Sequence, residues 1–445
     1  MKRLLSMTTL LCTAAAAHAG PATCTAGQLD TAYGGAANAG YVQISPVLYG
    51  ESEFEGGVID SSEAYYALSS AAVDYLGNPV VDIIKVKAGG ARDLTFGGFG
   101  NVVPVPPTTA MSDAQLAIDP AGNTIAATLS ADLSNIVLTR YLPSGVLDTS
   151  FGTSGQLTIQ FPGYANAPFN VKAGADGSLY IAAASYNPNP PWQPVVVKTT
   201  PAGTLDSSFG IGGFAFFYAD NFGPLGKATD LTVNADGTIL VAGRVGDNST
   251  MDQFFVARLL SSGVLDSSFG TSSGMTVVGF GSNTLAYGRK MGVQADGKIV
   301  VVGGLASPSN VGVVIATGVI RLKANGVPDP GFNGTGSAQF TSLIGQLMAL
   351  QDNNKILIAG TDPTSTTTAV LRLLVNGAPD PAFGSSANGL AALPVPNWPV
   401  SGATHVNYNP NGKIIVHIGA AQASGVSNGA GYLARLDSGS GAGCH

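Results

Sequence analysis

A short turn that contains Asp or Asn recurs seven times along this 445-residue chain, each time between two apolar runs. Its equivalent positions follow one another at steps of 55 to 60 residues, at Glu63, Gly122, Gly177, Gly237, Gly297, Asn354 and Gly412. A repeat of this length is typical of propellers and solenoids. Seven such units account for nearly the whole chain, so no block is left for a second fold.

Each unit is predicted to contain four short β-strands. In one unit the apolar runs cover 275–280, 291–294, 298–303 and 313–323, and an Ala-Asp-Gly turn at 295–297 separates the second run from the third. Glycine supplies the positive φ that a tight hairpin requires, and hairpins indicate antiparallel pairing. A β-helix has parallel coils, and neither a sandwich nor a barrel explains seven copies of one module. We therefore expect an all-β, seven-bladed β-propeller built from four-stranded repeats of about 58 residues.

A second repeated element joins each unit to the next. It has the sequence Gly-Val-Leu-Asp-Thr-Ser-Phe-Gly at 145–152, recurs at 203–210 and 263–270, and has looser copies around Asp93, Asp329 and Asp380. Its Asp can accept hydrogen bonds from backbone N–H groups two residues on, and its Phe is free to plug between neighbouring blades. A ring of metal-binding carboxylates is the functional alternative. We favour the structural role, because a residue found in every unit serves the fold of that unit.

The two ends of the chain together contain one more copy of this element. Residues 27–34 read Gly-Gln-Leu-Asp-Thr-Ala-Tyr-Gly, and the last strand-like run ends just before the element, at Ala434-Arg435-Leu436. A ring closed by its own termini leaves no exposed strand edge. We therefore expect the termini to meet, although the sequence does not decide which strand crosses the seam.

The first 19 residues are predicted to be a secretory signal peptide. Lys2 and Arg3 precede an apolar stretch at 4–17, and Ala17-His18-Ala19 offers a cleavage site before Gly20. The stretch is too short to span a bilayer, and no later segment is long and apolar enough. We therefore expect residues 20–445 to form a single propeller domain that is exported to the periplasm, the cell surface or the medium.

Charge and cysteine content restrict the partners. The net charge is −7, the pI is near 5.0 and no basic cluster occurs, so a nucleic-acid partner is not expected.

Cys24 and Cys444 lie near the two ends, and in an oxidising compartment we expect them to form one disulfide. Such a bond across a very long loop stabilises by roughly 4 to 5 kcal/mol in the chain-entropy model. Two free thiols are the alternative, and we expect a monomer.

The repeats resemble a known group of proteins. The recurring Gly-x-Leu-Asp-x-Ser-Phe-Gly with an Asp-Gly-Lys-Ile partner, as at 263–270 and 296–299, is similar to the bacterial delta-60 repeat proteins. The resemblance covers roughly residues 27 to 437 and fades in the first unit, where Ser61-Ser62-Glu63 replaces the glycine turn. It implies an exported β-propeller module of largely unassigned function, and it transfers no catalytic residue.

Topology indicates where a ligand could bind. The Asp-Gly turns and the Leu-Asp-x-x-Phe-Gly elements fall at one end of every blade, so the variable loops share the opposite end, and binding usually resides in such loops. Trp192 and Trp398 lie in Pro-rich loops there, with Tyr186 and Tyr218 nearby. Exposed aromatic rings suit sugar faces or protein hot spots. We therefore predict binding of a glycan or a cell-surface protein; each Trp could instead fold back over its own blade, and a purely structural role is a third alternative.

Signals for catalysis are few. Outside the signal peptide the histidines are His405, His417 and His445, and no hydrolase elbow, zinc-binding His pair, phosphate loop or Cys-x-x-Cys site occurs. No cofactor is predicted. Some seven-bladed propellers hold a metal-dependent lactonase or lyase site in the channel, built from scattered carboxylates and one histidine, and this is the alternative function. His405, in the predicted loop after Trp398, is the candidate for it, whereas His417 is predicted to be a packed strand residue.

Overall fold

Strands of two to ten residues make up almost all of the regular structure in the computed structural model. The structure describes residues 26–35, 39–44, 57–73, 79–98, 100–102, 114–130, 134–161, 164–186, 192–217, 225–246, 252–281, 284–409, 411–421 and 429–439. The predicted signal peptide, Cys24, Cys444, Tyr218 and His445 lie outside these residues. Within them the helical segments are two short 3-10 turns, Phe96–Gly98 and Pro308–Asn310, and no helix has the length and apolar character to cross a membrane.

The strands are, in chain order, β1 (Tyr41–Gln43), β2 (Gly57–Ile59), β3 (Tyr65–Val73), β4 (Pro79–Val86), β5 (Asn101–Val102), β6 (Gln115–Ile118), β7 (Thr124–Leu129), β8 (Asn135–Tyr141), β9 (Gln156–Gln160), β10 (Tyr164–Ala173), β11 (Leu179–Tyr186), β12 (Trp192–Thr199), β13 (Phe214–Phe216), β14 (Leu225–Val233), β15 (Ile239–Gly246), β16 (Asp252–Leu259), β17 (Met275–Val278), β18 (Leu285–Val293), β19 (Ile299–Ala306), β20 (Val314–Leu322), β21 (Ser337–Phe340), β22 (Ile344–Leu350), β23 (Ile356–Thr361), β24 (Thr368–Leu373), β25 (Leu390–Leu393), β26 (Val400–Tyr408), β27 (Lys413–Ala421) and β28 (Gly429–Asp437).

These strands form the seven four-stranded antiparallel blades of a propeller, which confirms the predicted fold. Six blades consist of consecutive strands, from β2–β5 to β22–β25, and the seventh contains β26, β27, β28 and β1. One parallel bridge, Trp192 to Leu225, also links the third blade to the fourth. The first strands of the blades contact one another in a closed cycle, from β2 through β6, β10, β14, β18 and β22 to β26 and back to β2. They therefore surround a central channel.

The repeated turn joins the first and second strands of every blade. All seven turn positions named above have φ between 63° and 84°, the left-handed region that favours glycine. Two of them are not glycine: Asn354 has φ 63° and Glu63 has φ 64°. The predicted equivalence of the seven turns, including the irregular first one, is thus confirmed.

The predicted grouping of strands within a unit is wrong by one strand. The run at 275–280 corresponds to β17, which pairs with β16 of the preceding blade and is that blade's outer strand. The chain reverses tightly through residues 263–274, so this strand folds back on its own blade, and the chain crosses to the next blade only afterwards. The first strand there is β18, which begins at Leu285 rather than at Met291. The prediction missed its start because Arg289 and Lys290 interrupt the apolar run.

The amino-terminal strand closes the ring. β1 pairs with β28 in antiparallel register, from Tyr41–Ala434 to Gln43–Tyr432, and Leu29 bridges to Leu436. The seventh blade thus takes three strands from one end of the chain and its outer strand from the other. This confirms closure by the termini and identifies the strand that crosses the seam.

An aromatic ring fills each interface between adjacent blades, as predicted from the repeated element. The rings are nearly or fully inaccessible to solvent and belong to seven separate apolar clusters, at Tyr33, Phe96, Phe151, Phe209, Phe269, Phe332 and Phe383. The Asp three residues earlier accepts a hydrogen bond from the backbone N–H two residues on, for example from Ser150 to Asp148 over 3.1 Å. The element therefore has the structural role, not that of a metal-binding ring.

A basic side chain completes each element, and the sequence analysis did not identify it. Arg321, eight positions before Asp329, donates from Nε to that carboxylate over 2.9 Å and lies 5.0 Å from the centre of the Phe332 ring. We call such a basic residue, Asp and aromatic ring a clasp. The basic members in the seven blades are Lys85, Arg140, Lys198, Arg258, Arg321, Arg372 and Arg435.

Adjacent blades also touch through their backbones at the clasps. The N–H of Gly152 donates to the carbonyl of Ala202 in the next blade over 2.8 Å. Gly203, next in sequence, has φ 82°, and a Cβ there would lie 2.6 Å from the Gly152 nitrogen. Glycine is required at this position for its backbone angle and for the close approach. We call the end of the propeller with the turns and clasps the turn end, and the opposite one the loop end.

Candidate functional site

Trp192 and Tyr186 lie side by side at the loop end of the third blade. Trp192 begins β12, Tyr186 ends β11, and the two are cross-strand partners whose ring centres are 4.9 Å apart. Lys227 of the fourth blade places its Nζ 5.1 Å from the centre of the indole ring. The half-buried indole thus contacts side chains of two blades.

Trp398 lies between β25 and β26, also at the loop end. Its Nε1–H donates to the Tyr432 hydroxyl over 2.8 Å, and its ring packs against the apolar cluster between the sixth and seventh blades. These contacts are those of a side chain that folds back over its own blade. The structure places Trp192 on the third blade and Trp398 on the seventh, so it does not bring the two indoles together.

His405 does not lie in a loop, which corrects the prediction. It is the sixth residue of β26, because the strand begins directly after Pro399, and it is the register partner of His417 in β27. His417 is completely buried, with Nδ1 3.2 Å from the Tyr65 hydroxyl, so its predicted packed role is confirmed. Burial lowers the pKa of His417 to about 3. Burial, with Lys290, His417 and Lys172 nearby, holds the pKa of His405 well below its usual value, so both rings are neutral at pH 7.

The first strands enclose a cavity of about 240 Å³ on the propeller axis, and all seven of them contribute to its lining. In the longer strands the lining residues lie in the carboxyl-terminal half, close to the repeated turns. The cavity is therefore at the turn end, opposite to the end where the sequence predicted the site. Its polar side chains are Gln115, Asn170, Lys172, Asp230, Lys290, His405, Asn407 and Tyr408.

A β-bulge recurs next to the cavity. In the third to seventh blades the register between the first two strands shifts immediately before Asn170, Asp230, Lys290, Leu347 and His405. Each of these residues stands seven positions before the turn position of its blade. Bulges re-aim side chains. The same repeat position thus presents a different side chain near the axis from each blade.

The two lysines of the cavity lack a close ion pair. Within the described residues Lys172 and Lys290 form no ion pair within 4.0 Å and no hydrogen bond. Asp230 accepts hydrogen bonds from the backbone N–H groups of Leu231, at 2.9 Å, and Met291, at 2.8 Å. Burial lowers the pKa of Lys290; Asp230 opposes this shift, whereas Lys172 and Arg289 add to it.

Two amide side chains of the cavity have unsatisfied polar atoms. Asn170 is only 5% exposed, and its Oδ1 has no hydrogen-bond partner among the described residues. The same holds for Nδ2 of Asn407 on the seventh blade. An unsatisfied buried polar atom costs roughly 1 to 3 kcal/mol. Both residues line the cavity.

The cavity does not fit the metal-dependent alternative. Its common metal ligands are Asp230, His405 and the amide oxygens of Gln115, Asn170 and Asn407, and both oxygens of Asp230 accept backbone hydrogen bonds. No group of three His, Cys, Asp or Glu residues that could hold a metal ion occurs in the described ranges. Lys172 and Lys290 would also repel a divalent cation. A single carboxylate that is already held by two backbone N–H groups, beside two lysines, does not fit the site of a metal-dependent lactonase or lyase.

The sequence contained a signal for this site that the sequence analysis missed. Seven positions before the turn, five of the repeats carry polar residues in otherwise apolar surroundings, namely Gln115, Asn170, Asp230, Lys290 and His405. The fold requires none of them, since the side chain changes from repeat to repeat while the blade does not. Positions of this kind are candidates for binding in any repeat protein.

The chain is similar to a β-propeller repeat family whose function is unknown. The family model described as "Domain of unknown function (DUF5122) beta-propeller" matches residues 174–209, 235–269, 294–332 and 351–383. These segments span the second and third strands of the third to sixth blades and end at the buried clasp residues Phe209, Phe269, Phe332 and Phe383. No curated protein matches the chain.

Solved structures share the propeller fold at low sequence identity. The polysaccharide lyase Uly1 matches with a TM-score of 0.51 and 10% identity, over 89% of this chain and 99% of that chain. A protein of unknown function from Dyadobacter fermentans matches with a TM-score of 0.43 and 12% identity, over 89% and 99% of the two chains. An α-L-arabinofuranosidase from Fusarium graminearum matches with a TM-score of 0.41 and 10% identity, over 89% and 97%. At these identities the similarity concerns the fold alone.

Proposed function

We propose that this protein is an exported binding protein of the delta-60 repeat type that takes a small hydroxylated ligand, such as a sugar or one end of a glycan, into its turn-end cavity. The observation that carries this proposal is the group of polar side chains that five repeats present to the cavity from one position: Gln115, Asn170, Asp230, Lys290 and His405. Side chains of these types donate and accept hydrogen bonds, and a sugar hydroxyl can pair with either kind of group.

The size of the cavity supports a small ligand. Its volume of about 240 Å³ equals that of roughly eight water molecules in the liquid. This accommodates a molecule with on the order of ten non-hydrogen atoms, comparable to one sugar ring. A ligand of this size would be held by strands rather than loops, and sites on strands are more rigid.

The protonation states favour binding over catalysis. His405 is neutral at pH 7, and Asp230 has both oxygens occupied by backbone N–H groups. General acid and base catalysis needs groups that can exchange a proton near the working pH and reach the substrate. The cavity lacks a carboxyl group poised in this way among its described lining residues.

The loop end offers a second candidate site, for a glycan or a cell-surface protein. Trp192 is half-buried at the seam between two blades, with Tyr186 on one blade and Lys227 on the other. Such rings lose little conformational entropy on binding. Trp398 belongs to the same proposal, although its contacts with Tyr432 favour a packing role.

The two sites can be separated by paired variants of residues 20–445. Ala349 lines the cavity, and Ala349→Phe should fill it; Val264→Phe, at an exposed position, is the matched control. Trp192→Ala removes the indole at the loop end. Binding of galactose, glucose, galacturonate, glucose 6-phosphate and cell-wall oligosaccharides would be measured by calorimetry and thermal shift.

We expect one or more of these probes to bind wild type and Val264→Phe, to bind Trp192→Ala equally, and to be lost in Ala349→Phe. Loss in Trp192→Ala with retention in Ala349→Phe would move the site to the loop end. If no probe binds wild type, the proposed binding of a small ligand in the cavity is wrong.

A further inference from the structure

The charged side chains of the cavity restrict the class of ligand more than the volume of the cavity does. Five titratable side chains line it: Lys172, Asp230, Lys290, His405 and Tyr408. The carboxylate of Asp230 is directed to two backbone N–H groups, and His405 is neutral at pH 7. The lining therefore contains two ammonium groups against one carboxylate, which leaves an excess of positive charge.

In the clasps every basic side chain is matched by a carboxylate. Each clasp pairs its Arg or Lys with an Asp, at 2.9 Å for Arg321 and Asp329 and at 3.9 Å for Lys85 and Asp93. By contrast, Lys172 and Lys290 have no ion pair within 4.0 Å in the described part of the chain. Lys290 is the buried member of the two, since burial lowers its pKa, and its charge is costly unless an anion joins it.

The positions of the two lysines bring their charges together. Lys172 lies near the end of β10 in the third blade, and Lys290 lies beyond the bulge of β18 in the fifth. The fourth blade, between them, contributes Asp230, whose Oδ2 is held by Met291 N–H, adjacent to Lys290. An anionic group in the cavity would meet both ammonium groups, while the Asp230 carboxylate is held against the backbone.

We propose that the cavity binds a hydroxylated anion, whose carboxylate or phosphate oxygens pair with Lys172 and Lys290 and whose hydroxyl groups hydrogen-bond to Asn170 and Asn407. The amide groups of Asn170 and Asn407 can each donate and accept such hydrogen bonds. Sugar acids, sugar phosphates and small hydroxy acids share this chemistry. The inference rests on the proposed function, since it assigns the class of ligand to the same cavity.

The test compares ligands that differ in charge but little in shape. Galacturonate is compared with galactose, and glucose 6-phosphate with glucose, by calorimetry at pH 7 with residues 20–445. We expect the preferred anion to bind about tenfold or more tightly than its neutral partner, because charge-assisted hydrogen bonds are roughly twice as strong as neutral ones. The two pairs also distinguish a carboxylate from a phosphate.

Lysine variants then assign the effect to the cavity. Lys172→Gln and Lys290→Gln should each weaken anion binding about tenfold and weaken binding of the neutral partner much less. Lys298→Gln, which alters a lysine outside the cavity, is the control and should change neither. Lys172 is exposed, so its variant should fold even if Lys290→Gln does not.

The outcomes separate this inference from the function on which it rests. Equal affinity for a sugar and its acid, with loss of both in Ala349→Phe, would overturn the preference for anions and leave a binding site for neutral sugars. An anion preference unchanged in Lys172→Gln and Lys290→Gln would also overturn the inference. If wild type binds neither member of either pair, both proposals fail.

Discussion

Arg435 donates a hydrogen bond from Nε to Oδ2 of Asp30 across 2.8 Å, although the two residues are 405 positions apart. The guanidinium lies 4.5 Å from the centre of the Tyr33 ring, and Nη1 donates to the carbonyl of Ala88 in the first blade. The seventh clasp is thus assembled from both ends of the chain. The ring closes with the same contacts that join every other pair of blades.

Removing the basic member of a buried clasp should strongly destabilise the protein. Arg321 and Asp329 have side chains 3% and 8% exposed, so Arg321→Leu leaves a buried carboxylate and should cost about 3 to 5 kcal/mol of unfolding free energy. Lys298→Ala breaks a pair whose side chains are 30% and 36% exposed and should cost less than about 1 kcal/mol. Urea unfolding measures both. Equal losses of unfolding free energy in the two variants would contradict the stabilising role of the buried pair. In the Arg321→Leu background, Asp329→Asn should recover part of the loss.

Truncating an interface ring should cost as much as a core substitution does. Phe269 is completely buried between the fourth and fifth blades, so Phe269→Ala should lower the unfolding free energy by about 3 to 5 kcal/mol. Ile211 is 81% exposed, and Ile211→Ala should change it by no more than about 0.5 kcal/mol. The comparison is made by thermal and urea unfolding. A small effect at Phe269 would show that the rings do not hold the blades together.

Two glycines with the same backbone angle should respond differently to alanine. Gly177 and Gly203 have φ 84° and 82°, but a Cβ at Gly177 would lie 3.5 Å from Pro201, whereas one at Gly203 would lie 2.6 Å from the Gly152 nitrogen. Gly177→Ala should cost about 1 to 2 kcal/mol for the backbone angle alone. Gly203→Ala should cost about 1 to 3 kcal/mol more, because the blades must move apart. Gly177→Asn should be milder, since Asn354 adopts this conformation; equal costs for the two alanine variants would exclude the steric effect.

Acid should destabilise the folded protein through its buried histidines. Burial lowers the pKa of His417 from 6.5 to about 3, so between these values the unfolded chain binds a proton that the folded protein does not. This contribution to stability is full above about pH 6.5 and is lost as the pH falls, at up to about 1.4 kcal/mol per pH unit. His405 should contribute with the same sign. Urea unfolding at several pH values from 7 to 4.5, a range above most carboxyl titration, measures how steeply the unfolding free energy changes with pH. His417→Gln should reduce this dependence by the equivalent of one bound proton. An unchanged dependence would contradict the prediction.

The termini should be joined covalently after export. Gly27 N–H donates to the carbonyl of Asp437 over 2.7 Å, so the chain ends that lead to Cys24 and Cys444 start close together. We expect the intact mass of the exported protein to correspond to residues 20–445 less two hydrogen atoms. The mass should rise by those two hydrogens on reduction, and Cys24→Ser should abolish the difference. A mass that includes residues 1–19 would contradict export, and a mass unaffected by reduction would contradict the disulfide.

Much of the fold could be predicted because each repeat carries its own signals. The positive φ of Gly177 and the burial of Phe209 depend on local sequence that recurs in other units, so seven copies strengthen one prediction. The strand grouping failed at 275–280, because the apolar pattern of an outer strand does not tell which blade it pairs with. Arg321 was missed because its role appears only when it meets Asp329 and Phe332 in space.

The site was harder to predict, since it depends on side chains that are far apart in sequence. Lys172 and Lys290 come from two different blades, and only ring closure places them around one cavity. The tryptophans were singled out for their residue type and their loops, whereas the structure shows them in contact with Tyr186, Lys227 and Tyr432. His405 was selected for its residue type. The sequence analysis placed it in a loop, whereas it lies in β26.

Because β1 pairs with β28, closure of the ring depends on complete translation of the chain. Among the described strands β1 is the first that a ribosome makes and β28 is the last, yet each is the other's partner. A nascent chain therefore holds β1 without a partner until translation is complete, and any chain cut short before residue 429 retains two open sheet edges. Open edges promote aggregation. Completion of the polypeptide thus decides whether the product is a closed ring or an aggregation-prone fragment, so a premature stop late in the message should be nearly as damaging as an early one.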